Sequence, residues 1–392
     1  MSQLLINRSP DLKKLRDEGY EVAIKSGHLV IDNVPYVNAS KQVRRGTLVS
    51  KLDLAGEVTT RPSTHVAMFA GEHPCDKEGR VLGKIKHSSY RNHIGDDLFV
   101  DHSFSSKPQG GYTNYHHKMT TYAAIISSQA QALEPDATAM TFAVVESDEP
   151  DSVFHYIDTA SSRAGINRVS KKLEGLKIGF AGLGGSGSYA LDIVVKTPVA
   201  EIHLFDGDDF LQHNAFRSPG APSVDELRKK PKKVDFLRDR YSHMRKNIFA
   251  TAYHIDESNA ACLEGMDFVF ICVDAGDVKR PIIEKLEELG IPFVDVGMGI
   301  ELVGDTLLGM LRVTTSTADM RDHVRDKKRI SFSGGHDDEY KQNIQIADLN
   351  ALNAALAVIK WKKLFGVYLD LDREHFSIYV LDGNKILNED NS

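Results

Sequence analysis

The sequence predicts an α/β domain with a mainly parallel sheet, preceded by a smaller α+β domain. Two observations carry this prediction. The stretch 177–217 runs from an apolar strand through four glycines into a helix-length segment, and a second strand then ends at Asp206. The chain has 392 residues, of which 41% are hydrophobic, and this is enough for two domain cores.

The glycines are Gly182, Gly184, Gly185 and Gly187. A Cβ at such positions would block the tight turn from strand to helix and the approach of a phosphate to the helix N-terminus. An acidic residue about 20 residues further on accepts a hydrogen bond from a ribose hydroxyl in such units, and Asp206 is placed to do so. The pattern predicts a Rossmann-like βαβ unit, although nicotinamide and flavin enzymes share the glycine spacing.

Polar residues after Asp206 narrow the choice of nucleotide. Asn214 and Arg217 follow in a turn-rich segment, and Lys233 begins the next predicted helix. Asp274 ends a later apolar strand, at the edge where open α/β sheets bind their ligands. This set suits a triphosphate, whereas a dehydrogenase needs such cations only to bind a 2′-phosphate.

In combination, the motifs GLGGSG, DGD, NAFR, KKV and CVD resemble the ThiF/MoeB/HesA superfamily, which includes the ubiquitin-activating enzymes. The resemblance covers residues 155–368. It implies an activating enzyme of a bacterial ubiquitin-like conjugation pathway, which adenylates the C-terminal glycine of a ubiquitin-like protein with ATP and Mg²⁺. A sulfur carrier, a peptide or a tRNA-borne carboxylate is the alternative substrate within the class.

The resemblance also implies roles for individual residues. Arg217 and Lys233 would stabilise charge on the phosphates, and Asp274 would bind Mg²⁺, which prefers oxygen ligands. The implied nucleotide-binding residues are Gly182, Gly184, Gly185, Gly187, Asp206, Asp208, Asn214, Arg217 and Lys233. In the family an arginine before the glycine loop reaches the triphosphate, often across a dimer interface. Arg163 or Arg168 matches it, and an exposed helix with ordinary charges is the alternative.

The cysteines depart from the pattern of many relatives. The chain has Cys75, Cys262 and Cys272, with no CxxC spacing, whereas many family members use a later cysteine to receive the acyl group and several hold zinc in paired CxxC motifs. We expect no structural zinc and a buried Cys272. Either the reaction stops at the acyl-adenylate or another nucleophile serves. Ser316, in the segment TTST, is the candidate, with a plain Ser/Thr loop as the alternative.

Residues 1–152 are expected to form the smaller domain, with helices near 11–20 and 115–133 and strands near 28–38, 64–70 and 139–146. An acidic, proline-containing segment precedes the second domain, 153–392. The motifs VPYVN, HVAMFAGEHPC and FSSKP resemble an uncharacterised domain that precedes ThiF-type domains in some bacterial ubiquitin-like conjugation operons. This implies partner binding, with a conjugating-enzyme-like protein as the expected partner.

Two groups in the first domain allow a metal or thiol site. One loop holds His65, Glu72, His73 and Cys75. Residues 86–120 hold the histidines His87, His93, His102, His116 and His117. Neither spacing matches a familiar ligand pattern, so a structural loop and scattered loop histidines are the alternatives. Cys75 stays a candidate for thiol chemistry.

Composition excludes other classes of function. The net charge of -7 argues against a chain built to bind nucleic acid, and no apolar run is long enough to span a membrane. Without a signal-peptide pattern, we expect a cytoplasmic protein. A homodimer is also expected, because the predicted helix 346–364 has one apolar face and the segment 163–168 carries arginines.

Two other functions stay open. An NAD-dependent oxidoreductase is disfavoured by Arg217 and Lys233. The second is a catalytically inactive scaffold that recruits a conjugation partner through its first domain. It is disfavoured because the polar residues that suit a triphosphate are all present: Asn214, Arg217, Lys233 and Asp274.

Overall fold

The computed structural model describes residues 2–95, 98–147, 152–274, 276–332 and 344–392. The chain divides into two compact units. The first lies within Met1–Ser152 and Tyr156–Gly165, and the second within Val153–His155 and Ile166–Ser392. The connecting segment thus contributes to both units.

The first unit is an antiparallel sheet with helices. Its helices are α1 (Ser2–Arg8), α2 (Pro10–Asp17), α3 (Tyr115–Gln131) and α4 (Thr159–Ala164), and its strands are β1 (Glu21–Lys25), β2 (His28–Val37), β3 (Val43–Lys51), β4 (Leu54–Ala55), β5 (Val58–Thr59), β6 (Val66–Ala70), β7 (Lys86–Gly95) and β8 (Leu98–Ser105). Six strands form one sheet in the order β1-β2-β3-β6-β8-β7.

Helix α3 packs on this sheet. Tyr115, Met119, Tyr122 and Ile126 recur at helical spacing and are fully buried, so they form the apolar face that the sequence predicted. Asn114 caps the helix by accepting a hydrogen bond from the backbone N–H of His117.

The strand predicted at 139–146 is wrong. Its described residues make only isolated bridges, between Tyr20 and Met140 and between Glu146 and Tyr156. Phe142 has a φ of 52°, a left-handed conformation that a regular strand excludes. The alternation of apolar residues there indicated a strand, but no neighbouring strand pairs with it.

The second unit is an α/β domain. Its elements are α5 (Asn167–Ser170), β9 (Lys177–Ala181), α6 (Gly185–Val194), β10 (Glu201–Phe205), α7 (Gln212–Ala215), α8 (Val224–Arg228), α9 (Lys233–Tyr241), β11 (Ile248–Thr251), β12 (Phe268–Ile271), α10 (Gly276–Leu289), β13 (Phe293–Val303), β14 (Thr306–Ser316), α11 (His323–Asp326), α12 (Ala347–Leu364), β15 (Glu374–Val380) and β16 (Lys385–Asn391).

The sheet of this unit has the order β11-β10-β9-β12-β13-β14-β15-β16. Strands β11 to β13 in this order are parallel, and β14, β15 and β16 add antiparallel to the β13 edge. The predicted fold class, an α/β domain with a mainly parallel sheet behind a smaller α+β domain, is thus confirmed.

Helices cover both faces of the parallel strands, and β12 shows why. Phe268 and Phe270 pack into the cluster that holds Trp361 of α12, whereas Val269 and Ile271 pack into the cluster that holds Ile282 of α10. Successive strand residues point to opposite faces, so a strand buried on both sides is apolar throughout.

The apolar face of α12 is used inside the protomer. Leu349 packs against Ile300 and Leu311 of the sheet, and Leu356 packs against the main core. The apolar face was predicted from Ile346, Leu349, Leu352, Leu356 and Ile359, and of these only Ile359 is exposed. The homodimer was expected partly because this helix has an apolar face. Since that face packs within the protomer, it offers no free apolar stripe for a dimer. No helix among the described residues combines the length and apolar character needed to cross a bilayer.

Candidate active site

A pocket of about 280 Å³ opens at the carboxyl edge of the parallel strands. Its walls come from the ends of β9, β10 and β12, from the middle of β13, from the start of α6 and from α10 and α12. The sequence-predicted residues that line it are Gly182, Gly184, Gly185, Asp206, Asp208, Arg217, Lys233 and Asp274. The pocket thus lies where open α/β sheets bind ligands.

The glycine loop joins β9 to α6 under tight constraints. Gly182 has a φ of 90°, and a Cβ there would lie 2.8 Å from the carbonyl of Cys272. Gly187 does not line the pocket, but a Cβ at this residue would lie 2.2 Å from the carbonyl oxygen of Gly182, so this glycine lets the helix pack on the strand. The first N–H groups of α6 have no partner within the helix and suit an anion.

Asp206 is only 5% exposed, and its carboxylate fastens the loop. One oxygen accepts a hydrogen bond from the N–H of Leu183 at 2.7 Å, and the other accepts from the N–H of Asp208 at 2.9 Å. Each oxygen has further acceptor capacity. The residue therefore shapes the pocket and could also accept from a ribose hydroxyl.

Lys233 is buried between two carboxylates. Its Nζ lies 2.6 Å from Asp208 and 3.6 Å from Asp206. The hydrogen bond from Lys233 is the main reason that the pKa of Asp208 is lowered, and burial opposes it only in part. Lys232 instead pairs with Asp209 and does not line the pocket, whereas Lys233 does.

Arg217 reaches the pocket from the turn after α7. Its Nε is buried without a hydrogen-bond partner, and among the described residues the guanidinium makes no salt bridge. Asn214 does not line the pocket. Its side chain accepts from the N–H of Leu211 at 2.8 Å and its carbonyl accepts from the N–H of Arg217, so it holds the turn that presents the arginine.

Asp274 is exposed at the end of β12, and one of its oxygens accepts a hydrogen bond from Gln345 at 2.9 Å. In ATP sites Mg²⁺ is bound by one or two carboxylates together with phosphate oxygens and water. A single carboxylate at this place therefore fits the metal. Asp206, Asp208 and His254 also bring ligand atoms within 4.8 Å of one another, but Lys233 already compensates the charge of both carboxylates.

Sequence reasoning missed several polar residues of the pocket, among them His254, Gln345, Asn350 and Asn353. His254 follows β11, and its Nε2 lies 3.5 Å from Asp208. The two asparagines lie one turn apart on α12. A polar pair inside an otherwise apolar helix was the signal that could have found them.

Three other candidates lie away from the pocket. Ser316 is 2% exposed and pairs with Phe293, the first residue of β13, whereas the pocket contacts β13 at Val296 to Met298. These positions are separated by on the order of 10 Å along the strand. The expectation that Ser316 receives an acyl group here is therefore wrong. Arg163 belongs to the first unit and Arg168 to the second, and neither lines this pocket.

The thiols are poorly placed for nucleophilic chemistry. Cys272 was expected to be buried, but it is only partly buried and lines the pocket beside the glycine loop. Burial, with Asp295 next in effect, raises its pKa strongly. Burial likewise raises the pKa of Cys262 and of Cys75. Cys75 is 1% exposed and its thiol donates to the carbonyl of His73. Thiolates, not thiols, are the nucleophiles.

Within the described parts of the first unit, neither the Cys75 loop nor the histidines of 86–120 form a cluster of three potential metal ligands. His116, for example, is paired with Glu18 at 2.8 Å. Several of these side chains have structural partners instead, as His65 has in Ser105.

Comparison with known proteins finds a family model that matches each of two parts of the chain. Residues 161–328 match the ThiF family, and residues 10–159 match a domain of unknown function, DUF6791. No curated protein matches the chain in sequence.

Several solved structures are similar in fold. PaaA is 19% identical, with a TM-score of 0.44, and the match covers 57% of this chain and 75% of PaaA. E. coli MccB with ATP is 18% identical, with a TM-score of 0.45 and coverage of 59% and 71%. The microcin C7 biosynthetic enzyme MccB in complex with N-formylated MccA is 18% identical, with a TM-score of 0.47 and coverage of 60% and 70%.

Proposed function

Because residues 161–328 match the ThiF family, as their motifs predicted, we propose that this chain uses ATP to adenylate the C-terminal carboxylate of a ubiquitin-like protein. One observation carries the proposal. The glycine loop, Asp206, Lys233, Arg217 and Asp274 meet in a single pocket, although they are distributed over almost a hundred residues of sequence.

The chemistry needs little covalent work from the protein. A carboxylate oxygen attacks the α-phosphorus of ATP, the bond to the bridging oxygen breaks, and pyrophosphate leaves. The protein must hold the reactants in line and stabilise charge that develops on phosphate oxygens. A preorganised cation is most effective in a partly buried site, where water screens it least.

The residues of the pocket suit these tasks. The N-terminus of α6 would face the phosphates, and Asp206 would accept from the ribose. Arg217, whose Nε has no partner among the described residues, would bind phosphate oxygens, and Lys233 would balance charge from its place between Asp206 and Asp208. Asp274 would hold Mg²⁺, which neutralises charge on the leaving pyrophosphate when bound.

The identity of the substrate as a ubiquitin-like protein is the more specific part of the proposal. It is supported by the resemblance of the sequence motifs to the ThiF/MoeB/HesA superfamily. A sulfur carrier, a peptide or a tRNA-borne carboxylate is the second candidate. The first unit would recruit a conjugating-enzyme-like partner. We also propose that the chain forms a homodimer, which sedimentation velocity would test.

ATP–pyrophosphate exchange tests the reaction. The purified chain is mixed with ATP, Mg²⁺, labelled pyrophosphate and, one at a time, a ubiquitin-like protein that ends in glycine, a sulfur carrier and a short peptide. Exchange that depends on the carrier and is lost when its terminal glycine is removed supports the proposal. Absence of exchange with every carrier, together with micromolar binding of NAD, would overturn it in favour of an oxidoreductase.

A further inference from the structure

Two asparagines of α12 form the wall of the pocket beyond Asp274. Asn350 and Asn353 are each 1% exposed. Asn350 lies so close to the start of α6 that a Cβ on Gly185 would fall 2.3 Å from its amide. Asn353 lies beside β13, where its Nδ2 donates to the carbonyl of Gly297 at 3.0 Å.

Each amide has one anchored atom and one free atom. Ser186 donates to Oδ1 of Asn350 at 3.0 Å, which leaves Nδ2 of Asn350 without a partner among the described residues. The bond from Asn353 to Gly297 likewise leaves Oδ1 of Asn353 without one. A buried polar atom without a partner is energetically costly. Two such atoms in the wall of one pocket indicate that a ligand completes them.

The two asparagines lie next to, but apart from, the residues that we assign to the nucleotide. The groups assigned to ribose and phosphate come from the ends of β9, β10 and β12, whereas Asn353 borders β13, the next strand of the sheet. Asn350 touches the glycine loop and therefore lies at the boundary between the two parts. The attacking carboxylate must lie at this boundary, next to the α-phosphate.

We infer that Asn350 and Asn353 bind the last residue of a peptide substrate through its main chain. Nδ2 of Asn350 donates to an oxygen of the terminal carboxylate, and Oδ1 of Asn353 accepts from the N–H of the same residue. This inference rests on the proposed function and narrows its substrate class to carboxylates that carry a main-chain amide. A simple carboxylic acid leaves Asn353 unpaired.

A hydrolysis-resistant mimic of the acyl-adenylate tests this without knowledge of the carrier. Glycylglycyl-sulfamoyl adenosine is compared by calorimetry with an analogue in which an ester oxygen replaces the N–H of the terminal glycine, and AMP is the reference ligand. The full-length chain should prefer the amide by about tenfold or more, which corresponds to about 1.4 kcal/mol.

Two variants of Asn353 distinguish the role of this side chain as a hydrogen-bond acceptor from its role in packing. Asn353→Ala and Asn353→Leu, which nearly keeps the volume of the side chain but accepts no hydrogen bond, should both reduce the amide preference to less than about threefold. Asn350→Ala should weaken both mimics relative to AMP and leave the amide-to-ester ratio unchanged.

The outcomes are distinct. If AMP binds but the wild-type chain binds both mimics equally, or if Asn353→Ala keeps the full preference, the inference is wrong while the nucleotide site stands. If neither AMP nor the mimics bind, the proposed function fails and the inference falls with it.

Discussion

The side chain of Gln345 donates a hydrogen bond to Asp274, with 2.9 Å between Nε2 and Oδ2. Asp274 follows β12, and Gln345 lies two residues before α12. The bond therefore links the nucleotide part of the pocket to the helix that carries Asn350 and Asn353. It orients the carboxylate that we assign to Mg²⁺.

Asp274→Asn should abolish most of the exchange activity and leave the fold intact. The variant can still accept the bond from Gln345, but it lacks the charge for a metal ligand, and the exposed position requires no repacking. We expect a loss of about 10²- to 10³-fold in pyrophosphate exchange, the magnitude of one preorganised electrostatic group. Asp319→Asn, an exposed aspartate away from the pocket, is the matched control. Wild-type exchange in a folded Asp274→Asn protein would remove the residue from the mechanism.

Arg217→Ala should lower kcat by about 10²- to 10³-fold if the arginine stabilises charge that develops in the transition state. The Arg217 side chain has no hydrogen-bond partner at Nε and makes no ion pair with a described residue, so the change breaks none. The free energy of unfolding should therefore stay within about 0.5 kcal/mol of wild type. Arg228→Ala, which removes an exposed guanidinium paired with Asp225, is the control for a change of net charge. Equal exchange rates in the two variants would contradict the role.

Gly185→Ala should destabilise the second unit, whereas Gly184→Ala should not. A Cβ on Gly185 would lie 2.3 Å from the buried amide of Asn350, but one on Gly184 meets no atom within 4 Å. Overpacking of this kind costs about 1–3 kcal/mol. Urea unfolding followed by the fluorescence of Trp361, the single tryptophan, measures the difference. Similar unfolding free energies for both variants would show that Asn350 can move away.

The sequence predicted those site residues that depend on local motifs. Gly182 and Asp206 could be assigned because a phosphate-binding turn and a ribose acceptor require fixed residue types at fixed separations. Lys233 was assigned from the family resemblance, which implies a lysine at the start of this helix. Ser316 was misplaced because β14 returns antiparallel, which carries its last residues to the amino end of β13. Asn350 and Asn353 were missed because only tertiary packing of α12 on α6 and β13 brings them to the pocket.

No thiol should become acylated during turnover. The pKa of each cysteine is raised, mainly by burial, so little thiolate is present at neutral pH. After reaction with ATP and the active carrier, denaturing gels without reductant should show no covalent adduct, and mass spectrometry should find only the acyl-adenylate. Cys272→Ala and Cys262→Ala should keep exchange near the wild-type rate. A reductant-sensitive adduct on Cys75, Cys262 or Cys272 would refute this and would identify the acyl acceptor.

The stability of the first unit should depend on pH through Lys118. This lysine is fully buried in α3, where its Nζ donates to Ser50 Oγ at 2.8 Å and to the carbonyl of Thr64 at 2.9 Å. Burial lowers its pKa from 10.5 to about 8, and Asp53 opposes this only in part. Between these two pH values the unfolded chain keeps the proton that the folded chain has lost.

The free energy of unfolding must therefore rise with pH over this interval, because stability increases wherever the unfolded state binds more protons. Relative to Lys118→Met, the wild-type chain should gain on the order of 3 kcal/mol between pH 8 and pH 10.5. Urea unfolding of both proteins is followed by far-UV circular dichroism, and Trp361 fluorescence identifies the transition of the second unit. Because every other titrating group is common to the two proteins, the difference isolates Lys118. A difference that stays constant or decreases with pH would mean that the buried amine keeps its proton, with Asp53 compensating its charge.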